Sequence, residues 1–334
     1  MSDGNDNAKE PLWHRLGRAL LSLTFLAGAL YLLDTDQVMR AVEAIHPGYL
    51  MIAFGLLMAE APVLGFRWYL LVRDAVDLSA YEVLRRYAIA VFFSTFTPAQ
   101  LGTDVYRFAD LRKEGANRRQ LLALLVQERV LGLISYLLFF LACGAVLFID
   151  GMAGSDESEL LIAAVVGFFV FILIGLMVGR PVATALQQLN ARTFDIVLID
   201  KLLDVCKTAL NFGSPGHLGR VLALSLVGGS ALWVTTVFVV SEGLQVGAPF
   251  ALIGLIAVVV EIIRLIPITV QGLGVREASF AYCFKVFGLS PELGFVVALV
   301  AYIAYNVTII LVGVIGYLLP RRDARKSGAE HGKP

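Results

Sequence analysis

Long apolar segments separated by short polar ones run through the whole chain. Six of them reach the roughly 20 apolar residues that a helix needs to cross a bilayer, and they lie at 16–33, 49–72, 121–149, 160–178, 219–243 and 294–319. The first segment follows the basic residues Lys9, Arg15 and Arg18 and resembles a signal peptide. Its small-residue triplet lies inside the apolar run, so we interpret 16–33 as an uncleaved span.

Two further apolar segments, 83–108 and 251–287, are each interrupted by a short stretch rich in proline and glycine. The first interruption contains Pro98 and the second contains Pro267. Proline removes a backbone donor and clashes with the preceding turn, and glycine disfavours helix continuation. Each half is too short to span comfortably. Each segment is therefore predicted to be a re-entrant helical hairpin whose halves meet near the midplane of the membrane.

Lysine and arginine are concentrated in alternate loops. Loops 150–159 and 244–250 have neither residue, and loop 34–48 has only Arg40, whereas the intervening loops carry several basic residues each. Cytoplasmic loops carry the excess of lysine and arginine in membrane proteins. Both termini are therefore predicted to be cytoplasmic, with the first hairpin entering from the cytoplasm and the second from outside.

The order of these segments predicts the fold class. Residues 16–150 contain span, span, hairpin and span, and residues 151–320 repeat that order. Each half makes three crossings, an odd number, so the second half is inverted, as in many secondary transporters. We predict an all-α polytopic membrane protein of two inverted repeats, with six spans and two opposed hairpins. Cytoplasmic tails at 1–15 and 321–334 flank the repeats, and segment 181–210 is either a surface amphipathic helix or a plain connecting helix.

Composition excludes most soluble classes. Hydrophobic residues make up 58% of the chain and charged residues 16%, whereas soluble domains are about 45–50% apolar and about 25% charged. The 27 basic and 27 acidic residues cancel, so no net charge favours a nucleic acid partner. Neither a metal-ligand spacing nor a nucleophile–base set is recognisable. We therefore expect no metal, no cofactor and no enzymatic activity.

Ten ionisable residues lie inside the apolar segments or close to the interruptions. Each costs about 2.5–3.5 kcal/mol at a helix centre, so pairing or a wet cavity is expected. Glu261 and Arg264 are spaced i, i+3 and can pair on one helix face. Glu128 and Arg129 are adjacent, so at least one needs a partner elsewhere, and Arg67 either snorkels or pairs. The predicted buried charge network comprises Glu60, Arg67, Glu128, Arg129, Glu261 and Arg264.

Each interruption is followed by a new helix whose N-terminus points toward the predicted midplane. Such N-termini attract anions, and the forked guanidinium donors of Arg107 and Arg276 suit a phosphate. Thr103 is the predicted N-cap of the first of these helices. The residues predicted to bind an anionic lipid headgroup are Pro98, Gly102, Thr103, Asp104, Arg107, Pro267, Gly274, Arg276 and Glu277.

Cross-hairpin ion pairs are expected to hold the two tips together. Asp104 is predicted to face Arg276, and Glu277 to face Arg107, because adjacent charges on one helix do not face each other. The alternative is that these pairs form a purely structural lock between the hairpins.

Three stretches at these positions carry a resemblance to a known family. They read FTPAQLGTDVYR at 96–107, ERVLG at 128–132 and IPITVQGLGVRE at 266–277. Over residues 15–320 the chain resembles the transmembrane region of bacterial lysyl-phosphatidylglycerol synthase/flippase proteins and their stand-alone flippase-like relatives.

This resemblance implies a multi-pass protein of the bacterial cytoplasmic (inner) membrane that moves a lipid between leaflets. It implies membrane lipids as partners and lipid-biosynthesis enzymes as candidate partners, with a phospholipid, hopanoid or polyprenyl-phosphate type of cargo. The synthases carry a large soluble aminoacyl-transferase domain, whereas only 14 residues follow Pro320 here. Synthase activity is therefore not expected. Gln271 stands where many relatives have glycine.

Two other functions are compatible with the residues. The first is an integral membrane enzyme acting on lipid or polyprenyl phosphates, or an accessory protein of lipid or polyprenyl-glycan metabolism. Against an enzyme, the histidines lie in tails or loops outside the predicted core, at His14, His46, His217 and His331. The second is an ion- or proton-coupled transporter of a small solute, which the buried carboxylates permit.

Overall fold

A computed structural model describes residue 31 and residues 34–97, 101–149, 156–193, 197–211, 213–265 and 269–321. Its regular elements are helices, as the sequence predicts. In chain order they are α1 (Thr35–Ala44), α2 (Pro47–Val72), α3 (Ala80–Phe92), α4 (Leu101–Lys113), α5 (Arg118–Ile149), α6 (Asp156–Thr193), α7 (Val197–Ala209), α8 (Pro215–Leu224), α9 (Trp233–Gly243), α10 (Phe250–Ile263), α11 (Val275–Val286) and α12 (Pro291–Leu318). A π-helical segment, Ser225–Leu232, joins α8 to α9 without a break.

Four helices among the described residues are long and apolar enough to cross a membrane. They are α2, α5, the continuous helix Pro215–Gly243 and α12, and they coincide with four of the predicted spans. The predicted span 160–178 lies within α6, a helix of 38 residues. The predicted span 16–33 lies outside the described residues apart from position 31. The described parts of segment 181–210 are the end of α6 and helix α7.

Both predicted interruptions occur where the proline- and glycine-rich stretches stand. A 3-10 turn, Phe93–Phe96, follows α3, and a second one, Val270–Gly272, precedes α11. The four half-helices α3, α4, α10 and α11 have 13, 13, 14 and 12 residues. At about 1.5 Å per residue they are near 20 Å long, which is less than the roughly 30 Å of a bilayer core.

Helices from the two halves of the chain pack against each other. Helix α3 packs on α12, α10 packs on α5, and α2 packs on α9. The two 3-10 turns contact each other, and Gln271 Nε2 donates to the Ser94 carbonyl oxygen at 2.5 Å. The two interruptions therefore meet between the halves.

Helix α10 is an interior helix. Every residue from Ala251 to Glu261 is buried, as expected for a helix that is apolar all round. Its C-terminal end carries Glu261 and Arg264 toward the meeting point of the interruptions, which places two of the predicted charges inside the protein.

Gly102 allows the tight turn at the first interruption. A Cβ atom there would lie 2.3 Å from the Phe93 carbonyl oxygen and 2.8 Å from Thr97 Oγ1. We expect Gly102→Ala to lower the melting temperature in detergent, because overpacking costs about 1–3 kcal/mol. Gly144→Ala in α5 is the control, since nothing lies within 4 Å of a Cβ there. Equal melting temperatures for the two variants would contradict this account of the turn.

Candidate functional site

A cavity of about 250 Å³ lies where the two interruptions meet. Its walls come from both halves of the chain, and Thr103, Ser94 and Gln271 contribute to it. Nine of the ten ionisable residues singled out in the sequence line this cavity, namely Glu60, Arg67, Asp104, Arg107, Glu128, Arg129, Glu261, Arg264 and Arg276. The tenth, Glu277, is fully buried beside Arg276. The charges predicted to be costly in a membrane are thus gathered in one place.

Five of these side chains form a continuous chain of ion pairs across α2, α4 and α5. Glu128 is at its centre: Arg67 Nη2 donates to its Oε1 at 2.6 Å, and Arg107 Nη1 lies 2.7 Å from its Oε2. Arg107 Nη2 donates to Asp104 Oδ1 at 2.5 Å, and Arg129 Nη2 donates to Asp104 Oδ2 at 2.5 Å. Three guanidiniums share two carboxylates, so this group of five ion-paired side chains carries one surplus positive charge.

The expected cross-hairpin ion pairs are wrong. Asp104 pairs with Arg107 and Arg129 rather than with Arg276. Glu277 Oε2 accepts the backbone N–H of Gly274 at 2.6 Å instead of pairing with Arg107. The physical reason is proximity along the chain: residues at i, i+3 meet on one helix face, and a glutamate at the third helical position reaches back to the N-cap. Among the described residues, the Gln271 amide links the two interruptions by its hydrogen bond to Ser94.

The prediction that Thr103 is the N-cap of α4 is wrong. The helix begins at Leu101, so Thr103 lies within its first turn, where it is buried and lines the cavity. Thr97 satisfies this end of the helix instead, because its Oγ1 accepts the Gly102 N–H at 2.7 Å. Pro98 and Pro267 lie outside the described residues, and their part in the site stays a prediction.

The remaining charges come from α2 and α10. Arg264 Nη2 donates to Glu261 Oε2, which confirms the pair expected from the i, i+3 spacing. Arg67 is buried and paired rather than snorkelling. Glu60 lines the same cavity, and within the described part of the chain no donor bonds its buried Oε2 atom.

Arg276 has a buried guanidinium with unused donors. Its side chain is 1% exposed, it lines the cavity, and its Cζ lies 4.0 Å over the ring of Tyr302. The Nε atom is 3.6 Å from Glu277 Oε1. Neither Nε nor Nη2 has a hydrogen-bond partner among the described residues. Leaving buried charged donors unpaired is costly, so this group is suited to bind an anion inside the cavity.

The aromatic partners of the arginines were not identified from the sequence. Arg107 Cζ lies 4.2 Å over the ring of Trp68 and 5.6 Å from the ring of Tyr87, and Tyr302 plays the corresponding part for Arg276. Such contacts stabilise a desolvated guanidinium by about 2 kcal/mol. These aromatic residues stand on other helices than the arginines, so no sequence spacing relates them.

One family model, described as the lysylphosphatidylglycerol synthase TM region, matches residues 19–313. The match includes every residue that lines the cavity. Comparisons with curated proteins and with solved structures gave no match. Together with the apolar helices, the match indicates a multi-pass membrane protein with a lipid-related role. The chain belongs to the family of the lysylphosphatidylglycerol synthase TM region.

Proposed function

We propose that this protein moves an anionic lipid or lipid-linked intermediate between the leaflets of the bacterial cytoplasmic membrane, with the headgroup bound in the central cavity. The observation that carries the proposal is a cavity lined by five arginines, one of which has buried and unused donors. Guanidinium groups bind the oxygens of phosphate in a bidentate manner. Membership of a family described by a lipid synthase supports a lipid as the ligand.

The path across the membrane follows from an inverted-repeat arrangement. Helices α2, α3–α4 and α5 have the same order as Pro215–Gly243, α10–α11 and α12. The packing is symmetric in the same way: α3 packs on α12, and α10, which corresponds to α3, packs on α5, which corresponds to α12. In this proposal both hairpins are re-entrant, enter from opposite sides and meet near the midplane. Rocking of one repeat against the other opens the cavity to each leaflet in turn.

The proposal assigns no catalytic step to the cavity. Its described walls contain arginines, carboxylates, tyrosines and serines, but no histidine or cysteine. We therefore expect the purified chain to lack tRNA-dependent lipid aminoacylation, and detecting that activity would contradict this part of the proposal.

Vesicle reconstitution tests the transport function. Fluorescent phosphatidylglycerol is placed in both leaflets, and a membrane-impermeant reductant bleaches the outer leaflet. Protein-containing vesicles should bleach beyond the outer-leaflet fraction because the probe crosses, whereas fluorescent phosphatidylcholine should cross more slowly. Labelled polyprenyl phosphate and labelled small solutes are measured in parallel. Uptake of a solute without movement of any lipid probe would favour the small-solute transporter instead.

Cysteine labelling tests the proposed orientation. The native cysteines Cys143, Cys206 and Cys283 are first replaced by alanine. In intact cells, Gln245→Cys in the α9–α10 loop is expected to react with a membrane-impermeant maleimide, whereas Lys113→Cys at the end of α4 is not. Both positions are exposed, so sidedness rather than burial decides the result. Reaction of Lys113→Cys in intact cells would overturn the inverted-repeat arrangement.

A further inference from the structure

Glu60 differs from the other carboxylates of the cavity. It lies midway along α2, Pro47–Val72, and seven residues before Arg67, so both side chains lie on one helix face. Arg67 forms an ion pair with Glu128, and Arg264 forms one with Glu261. Glu60 therefore lacks an ion-pair partner of its own among the described residues, although it lines the cavity.

The groups that interact electrostatically with Glu60 come from its own helix and from four others. The charged ones are Arg67 on its own helix and Glu261 and Arg264 on α10. The titratable ones are tyrosines on three helices, Tyr87 on α3, Tyr136 on α5 and Tyr305 on α12. A carboxylate in a membrane interior beside a second carboxylate is costly when charged. Binding a proton removes that cost.

A proton fits this position better than a metal ion does. Hard cations need several oxygen ligands around one point. The described residues contain no group of three or more His, Cys, Asp or Glu that could hold a metal ion. A proton needs only one carboxylate oxygen, which Glu60 supplies by itself.

Protonation of Glu60 changes the net charge of the site. The ten ionisable residues, nine lining the cavity and Glu277 buried beside Arg276, are five arginines and five carboxylates, so their charges cancel when all are ionised. With a proton on Glu60 the set carries one net positive charge, which the single negative charge of a phosphodiester matches. Binding of the proton therefore strengthens binding of the headgroup in the same cavity. Binding of the headgroup strengthens binding of the proton by the same factor, because such coupling is reciprocal.

We propose that Glu60 is a proton-binding site that couples binding and release of the anionic headgroup to the proton gradient, an inference that rests on the proposed function. A proton from water on one side forms the O–H bond on the Glu60 carboxylate as the headgroup binds at Arg276. When the cavity opens to the other side, that O–H bond breaks and the proton leaves to water. The restored negative charge then weakens headgroup binding.

The test compares wild type with Glu60→Gln in vesicles carrying fluorescent phosphatidylglycerol. Wild-type initial rates should respond to an imposed proton gradient, and the affinity for phosphatidylglycerol should differ by a factor of about 5–150 between acid and alkaline pH, the usual range of coupling between two binding sites. Glu60→Gln is neutral at every pH and nearly isosteric, so its rate should not respond to the gradient. Glu43→Gln, on an exposed part of α1, should respond as wild type does. Rates that follow a sodium gradient instead would overturn the proposal.

Infrared difference spectroscopy provides a measurement that does not depend on lipid movement. Between acid and alkaline pH, wild type should show the carbonyl stretch of a protonated carboxylic acid, and Glu60→Gln should lack that band. If phosphatidylglycerol moves but both the band and the gradient response are missing, the proton site is wrong and the proposed function stands. If the band is present and no lipid probe moves, the proposed function is wrong and the proton site stands.

Discussion

Glu128→Ala is expected to lower the free energy of unfolding by about 3–5 kcal/mol, the cost of removing one partner from a buried ion pair. Glu128 is 6% exposed and lies between Arg67 and Arg107, within 2.6 and 2.7 Å of their guanidinium nitrogens. Without it, two buried cations face each other and only Asp104 remains to balance Arg107. The measurement is unfolding of the purified protein in detergent, followed by circular dichroism.

The matched control for Glu128→Ala removes a glutamate from an ion pair near the surface. Glu114 pairs with Arg86 at 2.7 Å, but its side chain is 38% exposed. Exposed pairs contribute about 0–1 kcal/mol, so Glu114→Ala should unfold nearly as wild type does. If both variants lose the same stability, the chain of ion pairs is not what holds α2, α4 and α5 together.

Arg276→Lys is expected to weaken retention of anionic lipid by a factor of about 10–150, with little change in stability. Lysine keeps a positive charge near Glu277 but replaces the guanidinium fork with a point charge. A hydrogen bond to a charged group contributes about 1.5–3 kcal/mol, which corresponds to that factor. The protein itself loses no hydrogen bond from Nε or Nη2 in the described structure. Mass spectrometry of copurified phospholipid measures the retention.

Arg107→Lys is the comparison that separates binding from folding. The Arg107 guanidinium bridges Glu128 and Asp104 through different nitrogens, and a lysine ammonium does not reproduce that bridge. This variant should therefore lose both lipid and stability, whereas Arg276→Lys should lose lipid alone. If Arg276→Lys retains anionic lipid as wild type does, Arg276 is not a headgroup ligand.

The conflict between the expected and the observed pairs has a general cause. Asp104 and Arg107 are close in sequence, and their mutual contact needs only one helical turn. The expected partner, Arg276, stands on α11 beyond the second interruption, and reaching it requires a particular distance between α4 and α11. Ion pairs within one helix form in preference to pairs between segments, because the helix already holds the two side chains at the right spacing. Glu277 follows the same rule by bonding the Gly274 N–H.

Local pattern determined much of this protein by itself. The spans at α2, α5, Pro215–Gly243 and α12, the two interruptions, and the Glu261–Arg264 pair all depend on hydrophobicity, proline, glycine and the helical repeat. These are properties of neighbouring residues, so they can be predicted without knowing which helices touch. The set of ten charges could be chosen in the same way, because each stands in an apolar segment.

The partners of those charges depend on how the helices pack. The tertiary structure places Arg67 against Glu128, Trp68 under Arg107 and Tyr302 under Arg276, and it leaves Glu60 without an ion-pair partner among the described residues. Each of these contacts joins two different helices. Their distances are set by how α2, α4, α5, α11 and α12 pack, and no periodicity along one helix contains that information.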